Sequence, residues 1–263
     1  MEQKFQKMTE LIREAGRIML AATDVESENN VGVKPGDANF VTVYDVAVQT
    51  FLLEKLGELF PEAVFIAEEQ ENDPAALSGE LCFLIDPIDG TTNFIRDYRH
   101  SAISVALFSK GEPLFGAVYD PYLNEMFCAV KGKGAYLNGR PMQVICRSLA
   151  TSIVSYGTAL YYKDTLTEQT FAIAKDLFAA CADLRRCGSA ALDLAYLAAG
   201  RSDLFFEARL SPWDIAAGAL LITEAGGVIS DMKGASIDFS APSSVIAATP
   251  VAYPFLLETV QKY

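Results

Sequence analysis

The sequence predicts a mixed α+β fold, an antiparallel half followed by an α/β half, on three observations. Apolar residues recur at helical spacing near the N-terminus. Apolar runs follow one another between residues 103 and 130 with only turn residues between them. Beyond Ser152 short strands alternate with helices.

The elements follow in order. Phe5, Met8, Leu11, Ile12, Ala15, Ile18 and Met19 mark the apolar stripe of an amphipathic helix over residues 2–22. A polar loop rich in Gly, Asp and Asn is expected to about Asn39. A second helix spans 42–60 and is ended by Pro61, and a strand at 64–67 enters the acidic segment 68–73. The run 81–85 reads as a buried strand halted by Pro87, which has no N–H for a ladder. Runs at 103–108, 114–119 and 126–130 form an antiparallel meander, Asn138-Gly139 marks a further hairpin, and 141–145 ends the first half. Strands at 184–186 and 204–206 then alternate with helices at 190–199 and 213–225, the last stopped by Gly226-Gly227. Two domains are expected, an α+β domain over 1–145 holding most of the candidate metal ligands and an α/β domain over 146–263.

At 263 residues and 51% hydrophobic composition the chain supports a sizeable core and is not generally disordered. Its formal charge of −13 argues against a nucleic-acid surface. Five cysteines, an odd number with no Cys-x-x-Cys pair, and a single histidine, His100, read as free thiols without a zinc-like pattern. No apolar stretch reaches a membrane span or a signal-peptide core, so a soluble cytoplasmic protein is expected.

Asp86-Pro87-Ile88-Asp89-Gly90-Thr91-Thr92-Asn93-Phe94 carries the chemistry. Asp86 stands at a strand end and Asp89 follows within a tight turn, so both carboxylates can aim at one point while the Ile88 carbonyl lies outside a ladder. Three oxygen ligands within four residues suit Mg²⁺, which takes oxygen ligands and keeps several waters. Gly90 permits close backbone approach, and the amides around Thr91 and Thr92 can open a short helix that receives an anion. Metal-dependent phosphate chemistry is the reading. It also resolves the charge problem, because cations on the carboxylates make an acidic pocket hospitable to a phosphate ester.

At these residues the chain resembles the inositol monophosphatase family of Mg²⁺-dependent, Li⁺-sensitive phosphatases, whose first signature is Asp-Pro-x-Asp-Gly-Thr-x-Asn-Phe. The second signature is matched by Trp213-Asp214-Ile215-Ala216-Ala217-Gly218 with Glu224-Ala225-Gly226-Gly227. Phe65-Ile66-Ala67-Glu68-Glu69 and Lys34 with Val41-Thr42-Val43-Tyr44-Asp45 are matched too. The resemblance implies a five-layered αβαβα sandwich with the site between the halves, a homodimer, and two to three Mg²⁺ ions. It implies metal ligation by Glu68, Asp86, the Ile88 carbonyl, Asp89 and Asp214. Asp45 and Thr91 would orient and deprotonate the attacking water, activated by the Glu68-side metal. Asp89, Gly90, Thr91, Thr92, Ala190, Glu207 and Asp214 would contact substrate, a small phosphorylated polyol or sugar.

Structural alternatives stand beside these roles. Glu68 reads equally as a solvated acid in a charged loop. Asp45 three residues after Thr42, and Asp214 three after Ser211 with Pro212 between, both resemble helix N-caps. Glu207 reads as a surface acid after a strand, Ser189-Ala190 as a helix start, Lys34 as a solvated loop cation, and His100 as structural or at the substrate's edge. Myo-inositol monophosphate is the favoured substrate. Fructose 1,6-bisphosphate, histidinol phosphate and 3′-phosphonucleotides are alternatives within the superfamily, and a non-catalytic partner protein is the alternative outside it. Thr91-Thr92-Asn93 speaks against the nucleotidases, which usually carry lysine after Gly-Thr.

Overall fold

In the computed structural model, which describes residues 2–34 and 39–263, the N-terminal stripe buries as its spacing requires. Helix α1 (Glu2–Leu20) turns Phe5, Met8, Leu11, Ile12, Ala15 and Met19 inward. Helix α2 (Val43–Leu59) starts at Thr42, whose hydroxyl accepts the Tyr44 and Asp45 amides, and buries Val48, Leu52 and Leu56. Each wholly buried side chain such as Met8 or Leu52 contributes roughly 1.5–3 kcal/mol relative to exposure. Both helices pack on one face of a sheet whose order is β3 (Val64–Ala67), β4 (Cys82–Asp89), β5 (Ala102–Ser109), β6 (Glu112–Asp120), β7 (Glu125–Val130), β8 (Gly134–Leu137), β9 (Arg140–Met142). Only the β3–β4 pair is parallel; the rest is the expected meander.

Period-two alternation decides what each face meets. Phe83, Ile85, Val105 and Leu107 face α1 and α2. Leu84, Ala106, Phe108 and Phe127 face the opposite way, onto α5 (Ala190–Ala198) and α6 (Pro212–Glu224). Those two helices also pack on Phe205, Val245 and Ala247 of a second sheet. Its order is β11 (Asp183–Arg185), β10 (Ile153–Tyr156), β12 (Leu204–Leu210), β14 (Ser243–Ala248), β13 (Val228–Ser230), with β11, β10 and β12 parallel. Its outer face, with Val154, Leu204, Phe206 and Ile246, is covered by α4 (Lys163–Ala180) and α7 (Tyr253–Val260). The layers are therefore αβαβα. The central layer is close to both sheets because Gly116 lacks a side chain; a Cβ there would lie 2.8 Å from the Ala217 carbonyl oxygen of α6.

Two expectations need correction. The polar loop before Asn39 contains β1 (Val31–Val33), which pairs with β2 (Phe40–Thr42), while residues 35–38 of that loop lie outside the described residues. β4 does not stop before Pro87 but runs to Asp89, because the ladder accommodates proline in a bulge. Asp86 pairs with Ser104 and Asp89 with Ala102, so Pro87 and Ile88 together stand opposite Ile103 alone.

Candidate active site

That bulge is what aims the acids. In a regular strand residues three apart point to opposite faces, but the extra residue in β4 brings Asp86 and Asp89 to the same face. It is the inner face, since Asp86 follows Cys82 and Leu84, which pack against the central helices. Glu68 lies just past β3 in step with inward-facing Ile66. Asp214 stands in the first turn of α6, within the central layer, and Glu207 follows Phe205 on the inner face of β12. Acids from four separate elements thus reach one end of the space between the sheets. They line a cleft of ≈ 910 Å³ together with Ile88, Gly90, Thr91, Thr92 and Ala190.

The acids are held by hydrogen bonds, some local and some from distant parts of the chain. Asp86 Oδ1 accepts the Ile88 amide at 3.0 Å. Asp89 Oδ2 accepts the Ala191 amide at 2.8 Å and the Ser189 hydroxyl. Asp214 Oδ2 accepts the Ser211 amide at 2.7 Å, so it caps α6 and faces the cleft at once. Asp45 does two things as well. Its Oδ2 accepts the Thr42 amide at 2.7 Å, closing the capping box, and its Oδ1 faces the Thr91 hydroxyl at 3.4 Å. That hydroxyl also donates to the Ile88 carbonyl at 3.1 Å. Gly90 begins the helix α3 (Thr91–Ile95) with φ at +87°, and a Cβ there would lie 3.0 Å from the Gly188 carbonyl oxygen. Asn93 ties the motif to the second half, its Nδ2 donating to the His100 carbonyl at 2.7 Å and the Cys187 carbonyl at 2.8 Å.

Burial dominates the electrostatics. It pushes Asp86 and Asp214 well above the carboxylate range, with Glu68 and Asp89 adding repulsion to each. Asp89 rises to about 6, also by burial, opposed by its bonds from Ser189 and Ala191. Asp45 rises to about 7 and Glu207 to about 7 for the same reason. Such crowded acids call for a cation, and an all-oxygen donor set suits Mg²⁺. The ring is wide: among the described residues, the only three His, Cys, Asp or Glu side chains with ligand atoms within 4.8 Å of one another are His100, Cys187 and Asp193. One ion shared by Asp86, Asp89 and Asp214 therefore requires those side chains to close in.

Lys34 is not a solvated cation. It bonds Glu68 at 2.9 Å and Glu69 at 2.6 Å, and although burial works against its charge, the two acids hold its pKa above the usual value. Glu69 thereby joins the rim of the site. Glu207 accepts the Ala159 amide at 2.9 Å. Sequence reasoning missed three further cleft residues. Ser189 was legible as the N-cap of α5, whose Leu192 amide it accepts at 3.3 Å, but its bond to Asp89 crosses a hundred residues. Arg186, which donates to Thr158 at 2.9 Å, and Tyr161 line the cleft with no local signal to mark them.

The chain has known relatives in sequence and in fold. A family model described as the inositol monophosphatase family matches residues 1–263. The chain is 40% identical over 240 residues, 90% of its length and 88% of the relative's, to the Nus factor SuhB of Salmonella typhimurium. Among solved structures it resembles the extragenic suppressor protein suhB of Bartonella henselae, with TM-score 0.89 and 32% identity over 97% of each chain. It also resembles an IMPase of Thermotoga maritima, with TM-score 0.87 and 30% identity over 100% of this chain and 98% of that one.

Proposed function

The chain belongs to the inositol monophosphatase family, and from that premise we propose that it hydrolyses a small phosphomonoester with Mg²⁺, its preferred substrate being myo-inositol monophosphate. The observation that carries this reading is the convergence of Glu68, Asp86, Asp89 and Asp214, from separate elements, on one cleft that also presents the backbone of residues 90–92. A structural role needs no such gathering of buried like charges, which costs stability unless a cation compensates it.

Mg²⁺, two to three ions, would supply Lewis acidity and charge neutralisation in the cleft. Glu68, Asp86 and the Ile88 carbonyl would hold one ion, and Asp86, Asp89 and Asp214 another. Thr91 stands between Asp45 and the Ile88 carbonyl, positioned to orient a water for in-line attack. Asp45, facing the Thr91 hydroxyl, is placed to accept that water's proton through it. The amides of residues 90–92 and the Thr92 hydroxyl receive the phosphate. Glu207 and the Ala190 backbone meet the hydroxyls of the polyol. Ser189 keeps Asp89 oriented.

The proposal extends to a cytoplasmic homodimer. All five cysteines are free, and no helix among the described residues is long and apolar enough to cross a membrane. The test is a phosphate-release panel with and without Mg²⁺, over inositol 1-phosphate, fructose 1,6-bisphosphate, histidinol phosphate and a 3′-phosphonucleotide. Mg²⁺-dependent release, fastest from inositol 1-phosphate, is expected. Faster release from another member reassigns the substrate, and no release from any of them rejects the phosphatase reading.

The name of the 40% identical relative, a Nus factor, favours a second reading in which the chain acts as a partner protein on the same scaffold. A protein with only that role releases no phosphate in the same panel.

A further inference from the structure

Beside the acid ring, with Asp193 lining the same cleft, lies a second cluster with different donors. One ring nitrogen of His100, the Cys187 Sγ and a carboxylate oxygen of Asp193 all lie within 4.8 Å of one another. The three come from the end of the first signature's loop, the segment after β11, and α5. The His100 and Cys187 backbones are fixed close together, because Asn93 Nδ2 donates to the carbonyls of both. Asp193 is 2% exposed and lies inside the central layer. His100 Nε2 is buried without a hydrogen-bond partner, which is rare for a polar ring atom.

We propose that His100, Cys187 and Asp193 form a binding site for a borderline-soft divalent cation of the Zn²⁺ class, chemically distinct from the all-oxygen ring of the cleft. Imidazole, thiolate and carboxylate are the ligand types zinc takes, and three protein ligands leave a fourth position for water. At zinc bond lengths tetrahedral ligand atoms stand roughly 3.3–3.6 Å apart, so the observed trio closes on an ion by side-chain adjustment of about 1 Å. Burial lowers the His100 pKa, keeping the ring in the neutral form that coordinates. The edge of the Tyr196 ring packs against His100 with centroids 5.9 Å apart, holding the imidazole in place. Mg²⁺ has little affinity for sulfur and nitrogen, so the two sites sort cations by donor type.

Co²⁺ titration of the full chain in saturating Mg²⁺ tests the site, because Co²⁺ bound to a thiolate shows a sulfur-to-metal charge-transfer band that carboxylate ligation lacks. The expected result is about one equivalent of band-forming Co²⁺, displaced by Zn²⁺. The band is lost in Cys187→Ser and weakened at least tenfold in apparent affinity in His100→Phe, which keeps a ring against Tyr196. It persists in Cys146→Ser, which removes the exposed thiol. Circular dichroism melting of each variant checks that the fold survives. Absence of the band in wild-type protein, or its retention in Cys187→Ser, overturns the proposal; loss in Cys146→Ser assigns the thiolate elsewhere and overturns it too.

Discussion

At the scale of single residues, several side chains serve the fold and the site together. Asp45 closes the capping box of α2 and faces Thr91; Asp214 caps α6 and faces the cleft. The sequence could offer these as alternatives, because each cap is a local pattern, but only three dimensions make them simultaneous. Ser189 was legible in half of its role for the same reason. Asp89→Asn keeps the bonds from Ser189 and Ala191 on its amide oxygen while removing a charge, so phosphate release should fall roughly 10²–10³-fold while circular dichroism shows that the fold survives. Ser189→Ala removes both the hydroxyl that orients Asp89 and the cap of α5, and should weaken the apparent Mg²⁺ affinity of turnover about 10–100-fold. Glu207 gives a pH signature. Burial raises its pKa from 4.5 to about 7, so its contribution to stability is complete below 4.5 and is lost as pH rises through about 7. In chelator, Glu207→Gln should escape a loss on the order of 3 kcal/mol over that window, read by denaturant unfolding at pH 4.5 and 8. Parallel pH profiles for the two proteins would remove the buried charge from the account.

At the scale of elements, the β4 bulge decides the site. Pro87 signalled an interruption, and halting the strand there was the local inference; the ladder instead resumes at Asp89 because Ala102 is available opposite it. Pairing across strands cannot be read from one strand alone. α4 escaped notice because exposed Phe171 and Phe178 blur the stripe of Thr170, Ile173, Ala174 and Leu177 that it buries. α1 was legible from its apolar stripe, α2 from its start at Thr42 and the stop at Pro61, and the meander from the turn residues that bound its strands. The close approach of α6 to β6 yields a test. Gly116→Ala would place a methyl against the Ala217 backbone, which cannot yield as a flexible side chain does, and should destabilise by about 1–3 kcal/mol in denaturant unfolding. Because α6 carries Asp214, catalytic activity should fall with it; an unchanged unfolding midpoint would mean the layers are looser than described.

At the scale of the whole molecule, the five layers let the two sheets present acids to each other across the helices that separate them. On the proposed function, the formal charge of −13, concentrated in part on one cleft, requires cations in that cleft before a phosphate ester can enter it. The layering itself was not in the periodicity; it entered through the resemblance carried by the two signatures. Mg²⁺ bound to the native ring alone should stabilise by about 2.7 kcal/mol at a hundredfold excess over its dissociation constant, raising the thermal midpoint, and chelator should reverse it. The central claim is that this ring of acids, loaded with Mg²⁺, is what allows an anionic ester to be hydrolysed there. Phosphate release from inositol 1-phosphate, followed as Mg²⁺ is titrated into wild-type and Asp89→Asn protein, tests it most directly. The account predicts saturable Mg²⁺ activation in the wild type and its near disappearance in the variant; equal rates in the two proteins, or release that ignores Mg²⁺, would contradict it.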